Sequence, residues 1–422
     1  MMKPLIGKKL LVLGATRDEL SLVKRGQELG AYVIVTDIFD RYTSPSKCIA
    51  DEAWDFSWQD VELLAKKCRE NNIDGITAGY SEIKIDYLIR ICEKLKLPCY
   101  ANQKQLDITR DKIKFKQACR FYGIPTVKEY RSIDEVDEYP VIVKPVDRAG
   151  SIGVGIAQNP KELEEAYQEA KRLSLTQDVI IEKYMTGTKV DIYYSVENGV
   201  AKVLTTCDTI MSNKNGLERV VQNAWLYPHR NEEKLLQKCD AAFRKMICGM
   251  GIQYGCIFFS GFEDEKGNYT FFECGFRLEG GMQHEYAKRK GIMNYLDIFI
   301  FHALTGDTAL IERGTKLHRD LKLCTINYYA RKGKIGLING FDEIEKNEQC
   351  TLSHVCAKVG DQCDDNDAIL KKIGMFSIAD ENPEKLENMV REAQNLVDVR
   401  DDKGEDIIYD RLNPEIISAW WK

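Results

Sequence analysis

The 422-residue sequence lacks three features that would place it in well-defined structural classes. No two of its 14 cysteines are spaced as CxxC, no apolar run is long enough to span a bilayer, and no secretory leader is visible. Cysteines such as Cys92 and Cys248 lie singly in apolar runs, so we interpret them as buried, reduced thiols. The sequence therefore predicts a cytoplasmic protein without membrane segments, structural zinc or disulfides.

A strong excess of either charge is also absent. The chain has 60 Lys and Arg against 66 Asp and Glu, and the two signs are interspersed, which gives a net charge of −6. Neither a nucleic-acid-binding face nor a polybasic membrane anchor is indicated. At 44% hydrophobic residues the chain is long enough for two or three domains with separate cores, and its default partner is a small molecule.

Two common nucleotide-binding motifs are missing. The turn after the first predicted strand reads GATRDE, which lacks the G-x-G-x-x-G dinucleotide fingerprint, although Asp37 ends the second strand about where a ribose-binding acid would lie. The P-loop is missing too, because no Gly-Lys-Ser/Thr opens a helix. The N-terminal segment is better interpreted as a scaffold or substrate-side domain than as a nicotinamide site.

Strand and helix patterns alternate along the first hundred residues. KKLLVL at 8–13 predicts a strand, the segment up to Gly30 an amphipathic helix, and AYVIVTD a second strand. Helix-then-strand patterns repeat until Leu106. We therefore predict a small doubly wound domain over residues 1–105.

The segment YPVIVKPVDRAGSIGVG, residues 139–155, joins a buried strand to a glycine-rich loop. Its branched apolar residues predict a strand, and Pro145 cannot continue a central ladder because it has no N–H donor. The strand thus delivers Lys144 to a loop whose backbone N–H groups are unshielded and suited to phosphate. On this stretch alone, a glycine-rich hairpin with a lysine at its rim fits equally well.

Later segments complete the predicted organisation. A helix over about 111–122, the strand DVIIEKYM, a hairpin at Asn198-Gly199 and two strands around Lys266-Gly267-Asn268 define a middle unit over 106–315. The last part, 316–422, has short strand patterns and one helical pattern, PEKLENMVREAQNLV. It predicts a small α+β domain.

Taken in order, four motifs resemble those of the ATP-grasp superfamily. They are Asp111-Lys112 on a helix, VIVKP before a Gly/Ser loop, IIEKYMTG, and a hairpin ending in Glu-x-x-x-Arg-x-x-Gly-Gly. The likeness spans nearly all of residues 1–410 and is to the biotin carboxylase, carbamoyl phosphate synthetase and amino-acid ligase branches. It implies an α/β and α+β chain in which an N-terminal doubly wound domain and a small C-terminal domain flank the ATP-grasp fold.

The resemblance implies two lysines on the phosphates of ATP. Lys112 and Lys144 match those positions, and flexible ammonium groups suit a polyphosphate that is bound and released. The loop with Gly150, Ser151 and Gly153 would cover the transferred phosphate with its N–H groups.

The resemblance also places an adenine site. Glu182 and the backbone around Lys183 and Tyr184 would hold the adenine edge on the hinge strand. Many relatives have a ribose-binding glutamate where this chain has Lys189, and Asp191 is a possible substitute.

A metal ligand and an anion-binding group follow from the last motif. Glu273 would bind Mg²⁺, and Arg277 would neutralise the acyl phosphate, since guanidinium grips phosphoryl or carboxylate groups at two points. Gly280 and Gly281 would let backbone N–H groups approach the substrate carboxylate. The metal site is depleted, because Ser260 and Gly275 stand where the family commonly has an acid and an asparagine. Near the hairpin turn, Glu263 and Asp264 are interpreted as solvated turn acids.

The function implied is an ADP-forming ligase that uses ATP and Mg²⁺ to join a small carboxylate, an amino acid among the candidates, to an amine or a thiol. Lys144 and Arg277 would be its catalytic residues. The alternative is a nucleotide-binding homologue that has lost or altered turnover, since Lys189, Ser260 and Gly275 all depart from the pattern. No nucleic acid or membrane is expected as a partner, a homodimer is left open, and the histidines at 229, 284 and 302 are interpreted as packing residues.

Overall fold

The computed structural model of the protein describes residues 3–148, 152–212, 221–281, 283–314, 316–364 and 370–422. Among these residues, no helix is long and apolar enough to cross a membrane. All 14 cysteines are free. Cys92 is buried as expected, whereas Cys248 is exposed because it lies outside the buried face of its helix.

The N-terminal part is a four-stranded parallel sheet with the strand order β3-β2-β1-β4. Because β4 and β2 lie on opposite sides of β1, the chain reverses its direction of winding between β1 and β4. Ligand crevices in such sheets form at the carboxyl ends of these two strands. The elements of this part are β1 (Lys9–Leu13), α1 (Leu20–Glu28), β2 (Tyr32–Thr36), α2 (Pro45–Ile49), β3 (Glu52–Trp54), α3 (Val61–Glu70), β4 (Gly75–Thr77), α4 (Glu82–Leu95), α5 (Gln103–Arg110) and α6 (Lys112–Tyr122).

A small lobe follows, with an antiparallel sheet of order β5-β8-β6-β7. Its apolar core is separate from the main core and includes Val141, Val143 and Ile181 from the sheet and Leu163 from its helix. The lobe consists of β5 (Glu129–Tyr130), a 3₁₀ turn (Ile133–Glu135), β6 (Val141–Pro145), β7 (Gly155–Ala157), α7 (Pro160–Leu173) and β8 (Val179–Lys183).

An eight-stranded antiparallel sheet forms the large lobe, with the order β13-β12-β9-β10-β11-β14-β18-β16. The turn between β9 and β10 is the predicted Asn198-Gly199 hairpin, and both residues have positive φ, 50° and 74°. The first elements of this lobe are β9 (Thr188–Glu197), β10 (Val200–Met211), β11 (Gln222–Tyr227), α8 (Glu232–Gly249), β12 (Tyr254–Glu263), β13 (Tyr269–Gly275), α9 (Gln283–Arg289) and α10 (Leu296–Thr305).

Residues 316–422 extend the same large sheet through β14, β16 and β18 and add a three-stranded sheet of order β17-β15-β19. The prediction of one helix in this part is wrong in number. The predicted helix forms, but two short helices also form, at Phe341–Glu345 and Glu415–Trp420. These helices are too short to show a hydrophobic period and depend on tertiary contacts. The elements are β14 (Lys322–Tyr329), β15 (Gly333–Asn339), α11 (Phe341–Glu345), β16 (Cys350–Val355), β17 (Gln362–Cys363), β18 (Lys372–Asp380), α12 (Pro383–Leu396), β19 (Asp398–Asp401) and α13 (Glu415–Trp420).

Candidate active site

A cavity of about 460 Å³ lies between the small lobe and the large sheet, with the start of α4 and the segment after β13 also in its wall. Apolar side chains such as Val127, Met185 and Phe272 line part of it. The eleven charged residues described in its wall come from both lobes and from the N-terminal part: Glu82, Arg110, Lys112, Lys144, Arg148, Glu182, Lys183, Lys189, Glu273, Arg277 and Glu279.

Lys144 is held inside this cavity by a buried carboxylate. In the β6–β8 ladder Ile142 pairs with Glu182, and Lys144 lies two residues further on, so its side chain shares the face of Glu182. Its Nζ is 2.5 Å from Glu182 Oε2 and lies over the ring of Phe272. Lys144 is 8% exposed, and the apolar strand that carries it fixes its position as expected.

A second ammonium group, that of Lys116 on α6, bonds the other oxygen of Glu182 and also bonds Glu129. Glu129 and Glu182 are cross-strand neighbours, so a cation between them relieves the repulsion of two adjacent carboxylates. Burial raises the pKa of Glu182, but Lys144 and Lys116 outweigh burial and hold it below its ordinary value. The carboxylate of Glu182 is therefore engaged by lysines.

Lys112 begins α6, and the side chain of Asp111 caps this helix by accepting from Ile113 N and Lys114 N. The Nζ of Lys112 donates a hydrogen bond to Arg148 O at 3.1 Å. Burial lowers the pKa of Lys112, partly offset by Glu273. Its ammonium thus faces the cavity bonded only to a carbonyl among the described residues, as an anion-binding group would.

Of the predicted phosphate loop, Gly150 and Ser151 lie outside the described residues. Gly153 is described and has φ +72°, and a Cβ there would be 2.8 Å from Pro145 Cγ. Glycine is therefore required at this position for both its backbone angle and its contact. Its neighbours Ile152 and Val154 line the cavity.

The hinge strand supplies Lys183, Tyr184 and Met185 to the cavity wall. The N–H of Lys183 donates to Lys128 O and that of Tyr184 to Pro140 O. Both donors are thus engaged within the protein. A ligand at this edge would find its hydrogen bonds among the neighbouring backbone groups, since the Glu182 side chain is also engaged.

Lys189 on β9 lies where a glutamate was expected from the resemblance. Its Nζ is 3.3 Å from Asp191 Oδ2, and the side chains of both residues are buried. Burial would lower the pKa of Lys189, but Asp191 and Glu279 outweigh burial and raise it. The second oxygen of Asp191 accepts a hydrogen bond from Ser260.

Asp191, Ser260 and Glu273 occupy one row across three strands, because Ser260 pairs with Asp191 on one side and with Glu273 on the other. The side chain of Glu273 accepts no hydrogen bond and forms no ion pair among the described residues, although it lines the cavity. Magnesium commonly binds one or two carboxylates and completes its shell with phosphate oxygens and waters. The free carboxylate of Glu273 fits this use. No group of three or more His, Cys, Asp and Glu residues that could form a closed metal site occurs in the described part of the chain.

Gly275 is explained by packing. A Cβ at this position would lie 2.5 Å from Phe258 Cε1. The Phe258 ring in turn lies beneath the Arg277 guanidinium, whose centre is 5.2 Å from the ring centroid. A larger residue at 275 would displace the ring that supports Arg277.

The anion-binding arginine lies at the end of the cavity next to the N-terminal part. Arg277 Nε donates to Glu82 Oε1 at 3.3 Å, and Glu82 opens α4 just after β4. Leu278 N donates to Gly79 O, which fixes the loop against the carboxyl end of β4. A Cβ at Gly281 would lie 2.4 Å from Gln283 Nε2, so this loop packs closely.

Glu279 lines the same end of the cavity. Its Oε2 accepts hydrogen bonds from Tyr193 and, at 2.5 Å, from Gln283 Nε2. Burial raises the pKa of Glu279, and the nearby Asp191 adds to this shift. A carboxyl group with a raised pKa beside a cavity is a candidate proton acceptor.

Two interpretations of residues outside the cavity can be compared with the structure. Glu263 is 2% exposed and bonded to Asn231 and Tyr269, so its interpretation as a solvated turn acid is wrong. The hydroxyl and amide donors around it replace water. None of the described lining residues is a histidine, and His229 instead bonds Asp208 and Tyr269 in the interior.

Sequence reasoning did not identify Lys116 and Glu279. Lys116 is four residues after Lys112 on α6, so helical periodicity places both on one face, and this signal was available. Glu279 lies two residues after Arg277, inside the last motif.

A family model described as the D-Ala D-Ala ligase C-terminus matches residues 122–219. The D-alanine–D-alanine ligase of Fusobacterium nucleatum is 36% identical over 105 residues, which are 24% of this chain and 34% of that ligase. The formate-dependent phosphoribosylglycinamide formyltransferase of Wolinella succinogenes is 23% identical over 253 residues, 58% of this chain and 63% of that enzyme. The chain thus aligns with less than two thirds of the length of either relative.

Among solved structures, the L-amino acid ligase from Bacillus licheniformis superposes with a TM-score of 0.76. The alignment covers 94% of this chain and 99% of that ligase at 16% sequence identity. A match over the whole length at such low identity concerns the fold.

Proposed function

We propose that this chain, which belongs to the ATP-grasp superfamily, is an ADP-forming ligase that activates a small carboxylate as an acyl phosphate for attack by an amine. One observation carries the proposal. The cavity between the lobes joins two ammonium groups, of Lys112 and Lys144, to the guanidinium of Arg277 and to the carboxylate of Glu273, which has no partner among the described residues. Phosphoryl transfer is catalysed mainly by such positioning and charge neutralisation.

The roles of the side chains follow from their places in the cavity. Lys112 and Lys144 would hold the polyphosphate of ATP from two different elements, and Glu273 would hold Mg²⁺, which supplies charge neutralisation on the phosphate oxygens. Backbone groups near Met185 would bind the adenine edge. Arg277 would hold the substrate carboxylate and then the acyl phosphate.

The proposed chemistry has two steps. A carboxylate oxygen attacks the terminal phosphorus of ATP, a new P–O bond forms, and the bond to the bridging oxygen breaks to release ADP. The amine nitrogen then attacks the acyl carbon, the C–O bond to phosphate breaks, and the nitrogen loses one proton. Glu279 would accept that proton, because its raised pKa and its place beside Arg277 suit a base.

Trapping of the intermediate tests this function. Pools of amino acids and other small carboxylates are screened for phosphate release from ATP, and hydroxylamine is then supplied in place of the amine. We expect a hydroxamate and ADP, because hydroxylamine captures an acyl phosphate. Formation of AMP and pyrophosphate would instead indicate adenylation and would contradict the proposal. Reactions without enzyme and without ATP measure the background.

A second function has one observation in its favour. Lys189, Ser260 and Gly275 leave the cavity with fewer free acids than the resemblance implied, which would suit a nucleotide-binding protein without turnover. Binding of ATP without ADP formation across the whole substrate screen would favour this alternative.

Two structural predictions stay untested. They are the domain bounds 1–105, 106–315 and 316–422, and the formation of a homodimer.

Magnesium affinity provides another prediction. We expect weak binding of Mg²⁺ to the apo protein and much tighter binding with nucleotide, because the ion needs about six oxygens and Glu273 supplies at most two. Calorimetric titration of Mg²⁺ into both forms measures this. Glu273→Gln should weaken binding to the nucleotide complex, whereas the exposed Glu265→Gln serves as a control. Tight binding to apo protein that survives Glu273→Gln would show that the metal site lies elsewhere.

A further inference from the structure

Lys189 has an unusual setting for a lysine on a central strand. It is 8% exposed, it lines the cavity, and the one described hydrogen bond of its ammonium group goes to Asp191 at 3.3 Å. An ammonium group has three donors. The remaining donors of Lys189 are therefore available to a ligand in the cavity.

Most of the carboxylates around the cavity already have a protein partner. Both oxygens of Glu182 are engaged by lysines, and Glu82 binds Arg277. Both oxygens of Asp191 are also engaged, one by Ser260 and the other by Lys189. Glu279 is bonded to Tyr193 and Gln283. In the described part of the cavity, Glu273 is thus the only carboxylate without a hydrogen bond or an ion pair.

One free carboxylate suits one nucleotide-borne divalent ion, because a second would need its own protein oxygens. The carboxylate of Asp191, which lies in the same row as Glu273 one strand beyond Ser260, cannot supply them, because it is bonded to Ser260 and paired with Lys189, two residues earlier on β9. A polyphosphate in this cavity would still need a counter-charge on the side of the large sheet. The Lys189 ammonium provides one.

We propose that Lys189 is a fixed cation that contacts the polyphosphate and takes the place of a second divalent ion, so that the nucleotide complex holds a single metal. This inference rests on the proposed function, since it assumes that the cavity binds ATP. The competing interpretation is a structural ion pair that only holds β9 in place. These two interpretations predict different effects of replacing the lysine. Loss of a phosphate contact weakens the binding of nucleotides that carry phosphates but not the binding of adenosine. Loss of a structural ion pair does not distinguish between these ligands.

The experiment compares the non-hydrolysable analogue AMPPNP with adenosine as ligands, and counts bound Mn²⁺ in the AMPPNP complex by electron paramagnetic resonance. For the wild type we expect one tightly bound Mn²⁺ per complex. Lys189→Met should weaken AMPPNP by about tenfold or more, the usual size of one charge-assisted contact, and leave adenosine nearly unchanged. Lys189→Arg should restore most of the AMPPNP affinity, because it keeps the positive charge.

Lys202→Met is the matched control, since Lys202 is an exposed lysine on β10 outside the cavity. It should change neither affinity. Equal weakening of AMPPNP and adenosine by Lys189→Met, or no weakening of either, would overturn the phosphate contact. Two tightly bound Mn²⁺ per wild-type complex would overturn the single-metal inference while leaving the proposed ligase intact. If the wild type binds no nucleotide, both the proposed function and the inference about Lys189 would be overturned.

Discussion

Replacing Lys144 with alanine is expected to reduce turnover by about 30- to 1000-fold once a substrate is known. This corresponds to about 2–4 kcal/mol of transition-state stabilisation, the usual cost of removing one preorganised electrostatic group. The lysine is fixed by Glu182 and by its strand, so the group requires little reorganisation during the reaction. The rate of ADP formation at saturating ATP measures the effect.

The fold should survive this substitution, because Glu182 keeps Lys116 as a partner. Thermal unfolding of Lys144→Ala should therefore stay close to that of the wild type. Lys161→Ala is a suitable control, since this lysine is on the small lobe, is 87% exposed in its side chain and does not line the cavity. Unchanged turnover in Lys144→Ala would remove Lys144 from the catalytic machinery.

Replacing Glu182 with alanine is expected to lower the free energy of unfolding by about 3–5 kcal/mol, the usual cost of removing one partner from a buried ion pair. Lys144 would then lack a carboxylate partner among the described residues, and Lys116 would keep only Glu129. Urea-induced unfolding of the small lobe measures the change. The exposed Glu165→Ala on α7 should show almost no change.

The effect of Glu182 also has a predicted pH dependence. Its pKa is below the ordinary value of 4.5 in the folded protein, so its contribution is complete above about pH 5.5 and is lost as pH falls through the folded pKa. The stability difference between wild type and Glu182→Ala should therefore shrink in acid. A difference that is constant down to about pH 3, or that grows there, would contradict the assigned ion pairs.

The sequence predicted the fold class, and the ATP-grasp fold is confirmed by the superposition over most of the chain. Local rules explain this success. Neighbouring residues specify three of the predicted elements: the Asn198-Gly199 turn, the strand VIVKP and the helix α12. The structure forms each of them within a few residues of the predicted bounds. Such patterns depend on backbone angles and hydrophobic periodicity, which the sequence shows directly.

The helix α10 shows where local patterns fail. Every residue from Leu296 to Leu304 is buried, including Asp297 and His302, so the helix has no exposed polar face and its sequence shows no clear amphipathic period. It packs against β1 and β4, the first sheet of the chain. Likewise α13 is held through Trp420 Nε1, which donates to Asp208 at 2.6 Å on a strand some two hundred residues earlier.

The sequence by itself determined which residue types were available for an active site: lysines on α6 and β6, and a glutamate and an arginine around the last hairpin. Only the tertiary structure decided which of these groups are free. Glu182 is engaged by two lysines, and Glu273 is not engaged at all in the described chain. The reason is that ion pairs form between residues far apart in sequence, and their partners are set by strand register and helix packing.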